Sequence, residues 1–294
     1  MSHTKSILRY PGGKSSLSKF VSHLLTINHL DKGIYCEPFS GGAGISIDLL
    51  LSDTVKSIIL NDLDISIFSV WNAVLNETEH LIDSIINTPV TIEEWHKQRE
   101  IYLQHCNDAN YSFELAYATF FLNRTNRAGI ITGGPIGGLK QTSKYSIDCR
   151  FTKQTLIKKI SQIASKKDKI HLYNFDASEL LTSVIRHIPP NELFVFFDPP
   201  YYRQGKNLYK NSFTHQDHVS LYQTIRSFDE YNWITTYDKT DEIYEIYKDL
   251  PTFTYSLQYS ANVTRLEKEY LFTSPNLAVE SYKNIQLYPV NNAF

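Results

Sequence analysis

The sequence predicts an α/β fold built on a parallel sheet with helices on both faces. Three observations carry that expectation. Short β-branched or aromatic runs recur along the chain, and apolar residues spaced by three and four fill the stretches between them. The most apolar run, LFVFF at 193–197, has no polar alternation and so suits a strand buried on both faces.

Taken in order, IYC (34–36) and SIILN (57–61) read as the first two strands. AGISIDLLL (43–51) is a helix between them, and LDISIFSVWNAVL (63–75) is the helix that follows. IHLYN (170–174), LFVFF and WITTY (233–237) continue the strands, with helices expected from Thr152 to Ser165 and from Asp217 to Phe228. TYSLQYS (254–260) and EYLFT (269–273) are close enough to form an antiparallel pair at one edge. The alternation fails between about Asn72 and Arg150, where helices with polar faces lead into NRTNRAGIITGGPIGGLKQTSKYSIDCR (123–150). A long loop of that kind is uncommon in a compact domain unless it has a function, so an inserted domain is expected at 72–150, dividing the main domain into 1–71 and 151–294.

The totals narrow the classes. A chain of 294 residues can bury a full core. No run approaches the roughly 18 apolar residues of a membrane span, and the N-terminus lacks the apolar stretch of a signal peptide, so a cytoplasmic protein is expected. Cys36, Cys106 and Cys149 are widely spaced, without ligand or disulfide patterns, and the ten histidines form no metal-binding cluster. The net charge of -2 conceals an asymmetry. Residues 96–169 hold thirteen Lys and Arg against five Asp and Glu, a local charge of +8 on an otherwise acidic chain. That is the pattern of a polyanion-binding face, though a solvated helix surface accounts for part of it.

Four features lie at expected strand ends, and a fifth lies ahead of the first strand. EPFSGGAG (37–44) joins the first strand to a helix; Gly41, Gly42 and Gly44 permit a tight turn and close backbone approach to a ligand. Asn61-Asp62 closes the second strand, where an acid can accept both hydroxyls of a ribose, and Asp176 follows the third. DPPY (198–201) ends the LFVFF strand on a carboxylate and a rigid turn. YPGGK (10–14) precedes the first strand. Its Gly13-Lys14-Ser15 mimics the end of a phosphate loop, but Leu8 stands where that loop needs glycine, which argues against an NTPase. Together these describe a site for a nucleoside-bearing cofactor without identifying it.

The ordered set YPGGK, EPFSGGAG, ND and DPPY resembles the DNA adenine-N6 methyltransferases of the Dam, or D12, class, over essentially the whole chain. NSFTHQDHVSL (211–221) is similar to the family's stretch after DPPY. The resemblance implies a Rossmann-like sheet using S-adenosylmethionine, with a mainly helical DNA-recognition insertion, methylating a flipped adenine in double-stranded DNA. It implies Asp198, Pro199, Pro200 and Tyr201 as the catalytic turn: the carboxylate and the Pro199 carbonyl accept the two N6 hydrogens, and Tyr201 stacks on the base, with Tyr202 less clear. Phe213 is a second candidate wall or a packing residue. For the cofactor it implies Tyr10, Gly13, Lys14, Glu37, Pro38, Phe39, Ser40, Gly41, Gly42, Gly44, Asp62 and Asp198, with Asp176 either reading the cofactor's adenine or capping a helix. Lys14 would otherwise be a solvated surface cation. Asn123, Arg124, Asn126, Arg127, Lys140, Lys144 and Arg150 are the expected DNA contacts. The segment TNRAGIITGGPIGGLKQ does not match the recognition hairpin of GATC-methylating members, so the target site stays open. A cognate restriction endonuclease is a candidate partner. The competing expectations are an RNA amino methyltransferase and a catalytically silent DNA-binding relative.

Overall fold

The computed structural model describes residues 4–10, 13–203, 213–259 and 265–290. Pro11 and Gly12 of YPGGK, Asn211 and Ser212 of the stretch after DPPY, and Ser260 of the edge pair lie outside them. The strands are β1 (Ile34–Glu37), β2 (Ser57–Asn61), β3 (Ile170–Tyr173), β4 (Leu193–Phe197), β5 (Asn232–Asp238), β6 (Thr252–Tyr259), β7 (Arg265–Thr273) and β8 (Tyr288–Pro289). They form one sheet in the order β3-β2-β1-β4-β5-β7-β6-β8. The first five are parallel, and their 3-2-1-4-5 order is that of a Rossmann-like, doubly wound sheet. The antiparallel pair expected at one edge is β6 and β7, with β7 beginning at Arg265 and hydrogen-bonded to β5, and the short β8 added beyond β6.

The helices are α1 (Ser18–Ile27), α2 (Gly44–Leu51), α3 (Ile65–Asn76), α4 (Thr78–Asn87), α5 (Ile92–His105), α6 (Phe113–Thr125), α7 (Lys153–Ala164), α8 (Ala177–Ser183), α9 (His215–Arg226) and α10 (Asp241–Tyr247). Short polar side chains start several of them. Asp64 accepts from the Ser66 N–H, Ser112 from the Leu115 N–H, and Thr214 and Asp217 form a reciprocal capping box on α9.

The strand period of two divides the core. Tyr35, Ile58, Leu60, Phe194 and Phe196 face one apolar cluster with α1, α2 and α3, while Cys36, Ile59, Val195 and Phe197 face another with Leu180, Leu221, Ile225 and Ile243. All of β4 is buried, as its composition requires. Helix α3 runs through Asn72 without interruption, and Trp95, Tyr102, Phe120 and Phe121 of the following helices join the first cluster.

Candidate active site

The carboxyl ends of β1, β2, β3 and β4 open onto one cleft of ≈ 560 Å³, lined by Tyr10, Lys14, Phe39, Asp62, Phe175, Asp176, Asp198, Pro200 and Phe213 among others. β1 and β4 are adjacent strands that lead away in opposite directions along the sheet, and the crevice at such a reversal is where open α/β sheets bind ligands. Asn61 ties the strand ends together. Its Nδ2 donates to the Pro38 and Phe175 carbonyls at 2.9 and 3.0 Å, and its Oδ1 accepts from the Phe175 N–H at 2.9 Å.

The glycine turn after β1 is shaped first by the chain itself. A Cβ on Gly41, whose φ is +44°, would meet the Tyr10 ring at 2.8 Å; one on Gly42 would meet the Tyr10 Cβ at 2.9 Å. One on Gly44 would lie 2.1 Å from the Ser15 Oγ. The glycines therefore admit the N-terminal segment that carries Lys14 as well as clearing a cleft wall. Ser40 is buried behind the turn, and Pro38, Phe39 and Ser40 all line the cleft. The Trp71 indole N–H donates to the Gly41 carbonyl at 2.9 Å, and Asp62 Oδ2 accepts from the Gly41 N–H at 2.8 Å.

Asp62 also accepts from the Asp64 N–H through Oδ1, and burial, then the Asp64 charge, push its carboxyl up to about 7. Glu37 accepts from the Tyr35 hydroxyl and from the Ser46 N–H in the first turn of α2, and burial pushes it up to about 8. Asp176 caps α8, accepting from the Ser178 N–H at 2.8 Å, and still lines the cleft. Its two expected roles are geometrically compatible.

Asp198 ends β4 with its carboxyl raised above the usual carboxylate range by burial, against the opposing pull of Lys14. Its Oδ1 accepts from the Thr236 hydroxyl at 2.8 Å and lies 3.2 Å from the Lys14 ammonium. Oδ2 has no partner among the described residues. Lys14 is far from a solvated surface cation: its side chain is 3 % exposed. It also lies 3.9 Å from Glu269 and 4.6 Å from the centre of the Tyr201 ring.

Tyr201 departs from its expected role as an open stacking face. It is buried, does not line the cleft, has Lys14 over its ring, and donates its hydroxyl to Glu269. Pro199 is buried beside it, whereas Pro200 and Phe213 line the cleft, and Phe213 meets Phe39 edge-on at 6.0 Å. The backbone after DPPY is held by Asp238, whose two oxygens accept from the N–H groups of Tyr202 and Arg203 at 2.9 and 3.0 Å.

The expected DNA contacts divide into two groups. Asn123 and Asn126 are buried and used by the chain. Asn123 accepts from the Arg9 N–H and donates to the Arg9 and Gly129 carbonyls, while Asn126 accepts from the Trp95 indole and donates to the Ile130 and Ile131 carbonyls. Neither amide is presented to a base edge. Arg124 is also enclosed, donating to the Arg150 and Ile7 carbonyls; burial, with Arg9 and Arg150 nearby, pushes it down to about 10. Arg127, Lys140, Lys144 and Arg150 are exposed.

Sequence reasoning missed Glu269, Asp238, Thr236 and Arg9. Asp238 follows the expected WITTY strand directly, so the strand-end rule that found Asp198 applies to it equally. Glu269 had a weaker signal, an acid opening the oily run EYLFT.

The chain also has relatives among known proteins. The model of the D12 class N6 adenine-specific DNA methyltransferase family matches residues 10–266. The chain is 25% identical over 243 residues to the Type II methyltransferase M.MjaIII of Methanocaldococcus jannaschii, covering 77% of this chain and 81% of that one. Among solved structures, the rRNA methyltransferase aviRa of Streptomyces viridochromogenes has 8% identity and a TM-score of 0.36 over 88% of this chain and 86% of that chain.

Proposed function

Because this chain belongs to the D12 class N6 adenine-specific DNA methyltransferases, we propose that it methylates the N6 amine of a flipped adenine in a specific site of duplex DNA, using S-adenosylmethionine. The observation that carries the reading is Asp198 at the carboxyl end of β4. Its Oδ1 is occupied by Thr236 and Lys14, leaving Oδ2 to the cleft that Asp198 lines.

An exocyclic amine is a poor nucleophile while its lone pair is delocalised into the ring. Asp198 Oδ2 accepts one N6 hydrogen and the Pro199 carbonyl the other, which draws the nitrogen toward tetrahedral geometry and localises its lone pair for attack, and the surplus N6 proton leaves after the methyl arrives. Lys14, 3.2 Å from Oδ1, opposes the upward push of burial on the Asp198 carboxyl, and the accepting role needs the charged form that Lys14 favours. Holding the amine in this orientation contributes much of the rate enhancement. The amine cannot be reached in a stacked duplex, so the base must leave the helix; Pro200 and Phe213 are the candidate walls for it, and Tyr201 supports the turn from behind.

The cleft suits the cofactor in its donor set. Asp62 retains acceptor capacity beyond its two backbone partners, Phe39 and Phe175 supply apolar walls, and the N-terminus of α2 adjoins the glycine turn. Glu37, the turn from Pro38 to Gly44, Asp62 and Asp176 would hold it, with Tyr10 and Gly13 closing the N-terminal side. When bound, S-adenosylmethionine supplies the methyl group as an electrophilic sulfonium. The Type II name of the Methanocaldococcus relative supports a role beside a cognate restriction endonuclease.

The test is methylation-sensitive sequencing of DNA from a methylation-free host expressing the protein. N6-methyladenine confined to one short motif is expected and would supply the recognition site. Unmodified DNA alongside folded, cofactor-binding protein would overturn the DNA reading in favour of an RNA substrate.

A further inference from the structure

Glu269 lies in the middle of the sheet on β7, opposite Asp238 of β5 and Tyr255 of β6. Its side chain is 1% exposed. A carboxylate buried to that degree is costly unless it is paired and hydrogen-bonded. Glu269 has both kinds of partner. Oε1 accepts from the Tyr201 hydroxyl and faces the Lys14 ammonium, and Oε2 accepts from the Tyr255 hydroxyl.

The partners are unusual in one respect: two belong to the catalytic neighbourhood. Tyr201 is the last residue of DPPY, and Lys14 carries the ammonium set against Asp198. Glu269 is thus linked to Asp198 by two short routes, through Lys14 and through the backbone from Tyr201. Tyr255 anchors the opposite oxygen in the sheet, so the carboxylate is held from a rigid element, while the parts it grips come from the N-terminal segment and the turn after β4.

We propose that Glu269 is a positioning residue for methyl transfer, holding Lys14 and Tyr201 in place so that Asp198 presents its Oδ2 to the target amine. The inference rests on the methyltransferase reading above. Glu269 itself does not line the cleft and touches no reacting atom. Lys14 is placed between two carboxylates, and Glu269→Gln removes one of the two charges that fix its ammonium against Oδ1.

The test compares wild type with Glu269→Gln, Lys14→Met and the double variant, measuring kcat and KM for DNA methylation, direct S-adenosylmethionine binding and thermal midpoint. Glu269→Gln is expected to lower kcat about tenfold or more while cofactor binding and the DNA KM stay within about twofold. A purely structural carboxylate would instead move the midpoint and cofactor affinity along with kcat. The double variant is expected to match Lys14→Met, because Glu269 acts through that ammonium. It removes the Lys14–Glu269 charge pair together and leaves Asp198 as it is in Lys14→Met, and so reports the coupling even where Glu269→Gln does not fold. Unchanged kcat in Glu269→Gln, a loss confined to cofactor binding, or a double variant about tenfold below Lys14→Met would each overturn the inference. Absence of methylation by wild type would overturn the underlying reading instead.

Discussion

The Asn123 amide brackets the Arg9 peptide, accepting from its N–H and donating to its carbonyl, each at 2.8 Å. The residues are 114 positions apart, so this pairing fastens the N-terminal segment to the end of α6 beside the cleft. Asn123→Ala leaves the Arg9 N–H and two carbonyls without their partner. At about 1 to 3 kcal/mol for a buried group left unsatisfied, a loss of about 2 to 4 kcal/mol is expected in chemical denaturation. A variant of native stability with altered sequence preference would return Asn123 to the role of base reader.

Gly129 has φ +81°, and a Cβ there would sit 2.1 Å from the Arg9 carbonyl oxygen. Gly129→Ala is therefore expected to cost more than about 2 kcal/mol, since the left-handed conformation alone costs about 1 to 2 kcal/mol for an L-residue. Gly134, with nothing within 4 Å of a built Cβ, is the control. Gly134→Ala should leave the thermal midpoint nearly unchanged, and equal losses at the two positions would contradict this packing.

Asp198→Ala is expected to abolish methylation with the fold retained. Removing the carboxylate leaves the Lys14 ammonium beside Glu269, so no unpaired cation is stranded in the interior. Methylation turnover and the thermal midpoint, measured together, decide the matter: appreciable residual turnover would exclude the N6-accepting role.

Glu37 gives the protein a calculable pH dependence. Burial raises its carboxyl from 4.5 to about 8, so the folded state binds this proton more tightly than the unfolded state. The resulting stability is fully present below about pH 4.5 and is lost progressively as pH rises through about 8. Glu37→Gln keeps an acceptor for Tyr35 and Ser46 but has no charge to bury. Its thermal midpoint should match that of wild type below about pH 4.5, exceed it increasingly as pH rises from there to about 8, and hold that excess at higher pH, by an amount on the order of a few kcal/mol in free energy. Parallel curves across that range would show that Glu37 titrates normally.

The backbone order was legible because each parallel strand is short and β-branched or aromatic, and LFVFF, bounded by prolines, suits a strand covered on both sides. The strand-end acids Asp62, Asp176 and Asp198 were legible for the same reason, since a parallel sheet brings its carboxyl ends to one edge. Pairings between distant segments were not. Nothing local to Gly42 says that the Tyr10 Cβ needs the space, and nothing local to Asn126 says that the Trp95 indole will take its oxygen at 2.6 Å. Polar residues at the end of α6 and in the loop after it therefore read as ligand contacts, although the amides of Asn123 and Asn126 are consumed by backbone groups that must be satisfied within a buried neighbourhood.

That distinction separates the cations as well. Arg127, Lys140 and Lys144 are exposed on the loop, whereas Arg124 is bound to the Arg150 and Ile7 carbonyls. Each phosphate neutralised by a cation releases counterions, contributing about 0.9 to the slope of log affinity against log salt. Lys140→Glu with Lys144→Glu should weaken duplex binding and reduce that slope by roughly one for each phosphate no longer neutralised, with thermal stability unchanged. Arg124→Ala should do the reverse, lowering the midpoint because two carbonyls are deprived of their donor, with little change in slope. Fluorescence anisotropy titrations across a salt series measure both variants, and a slope that moves only with Arg124 would transfer phosphate binding from the exposed loop to the enclosed arginine cluster.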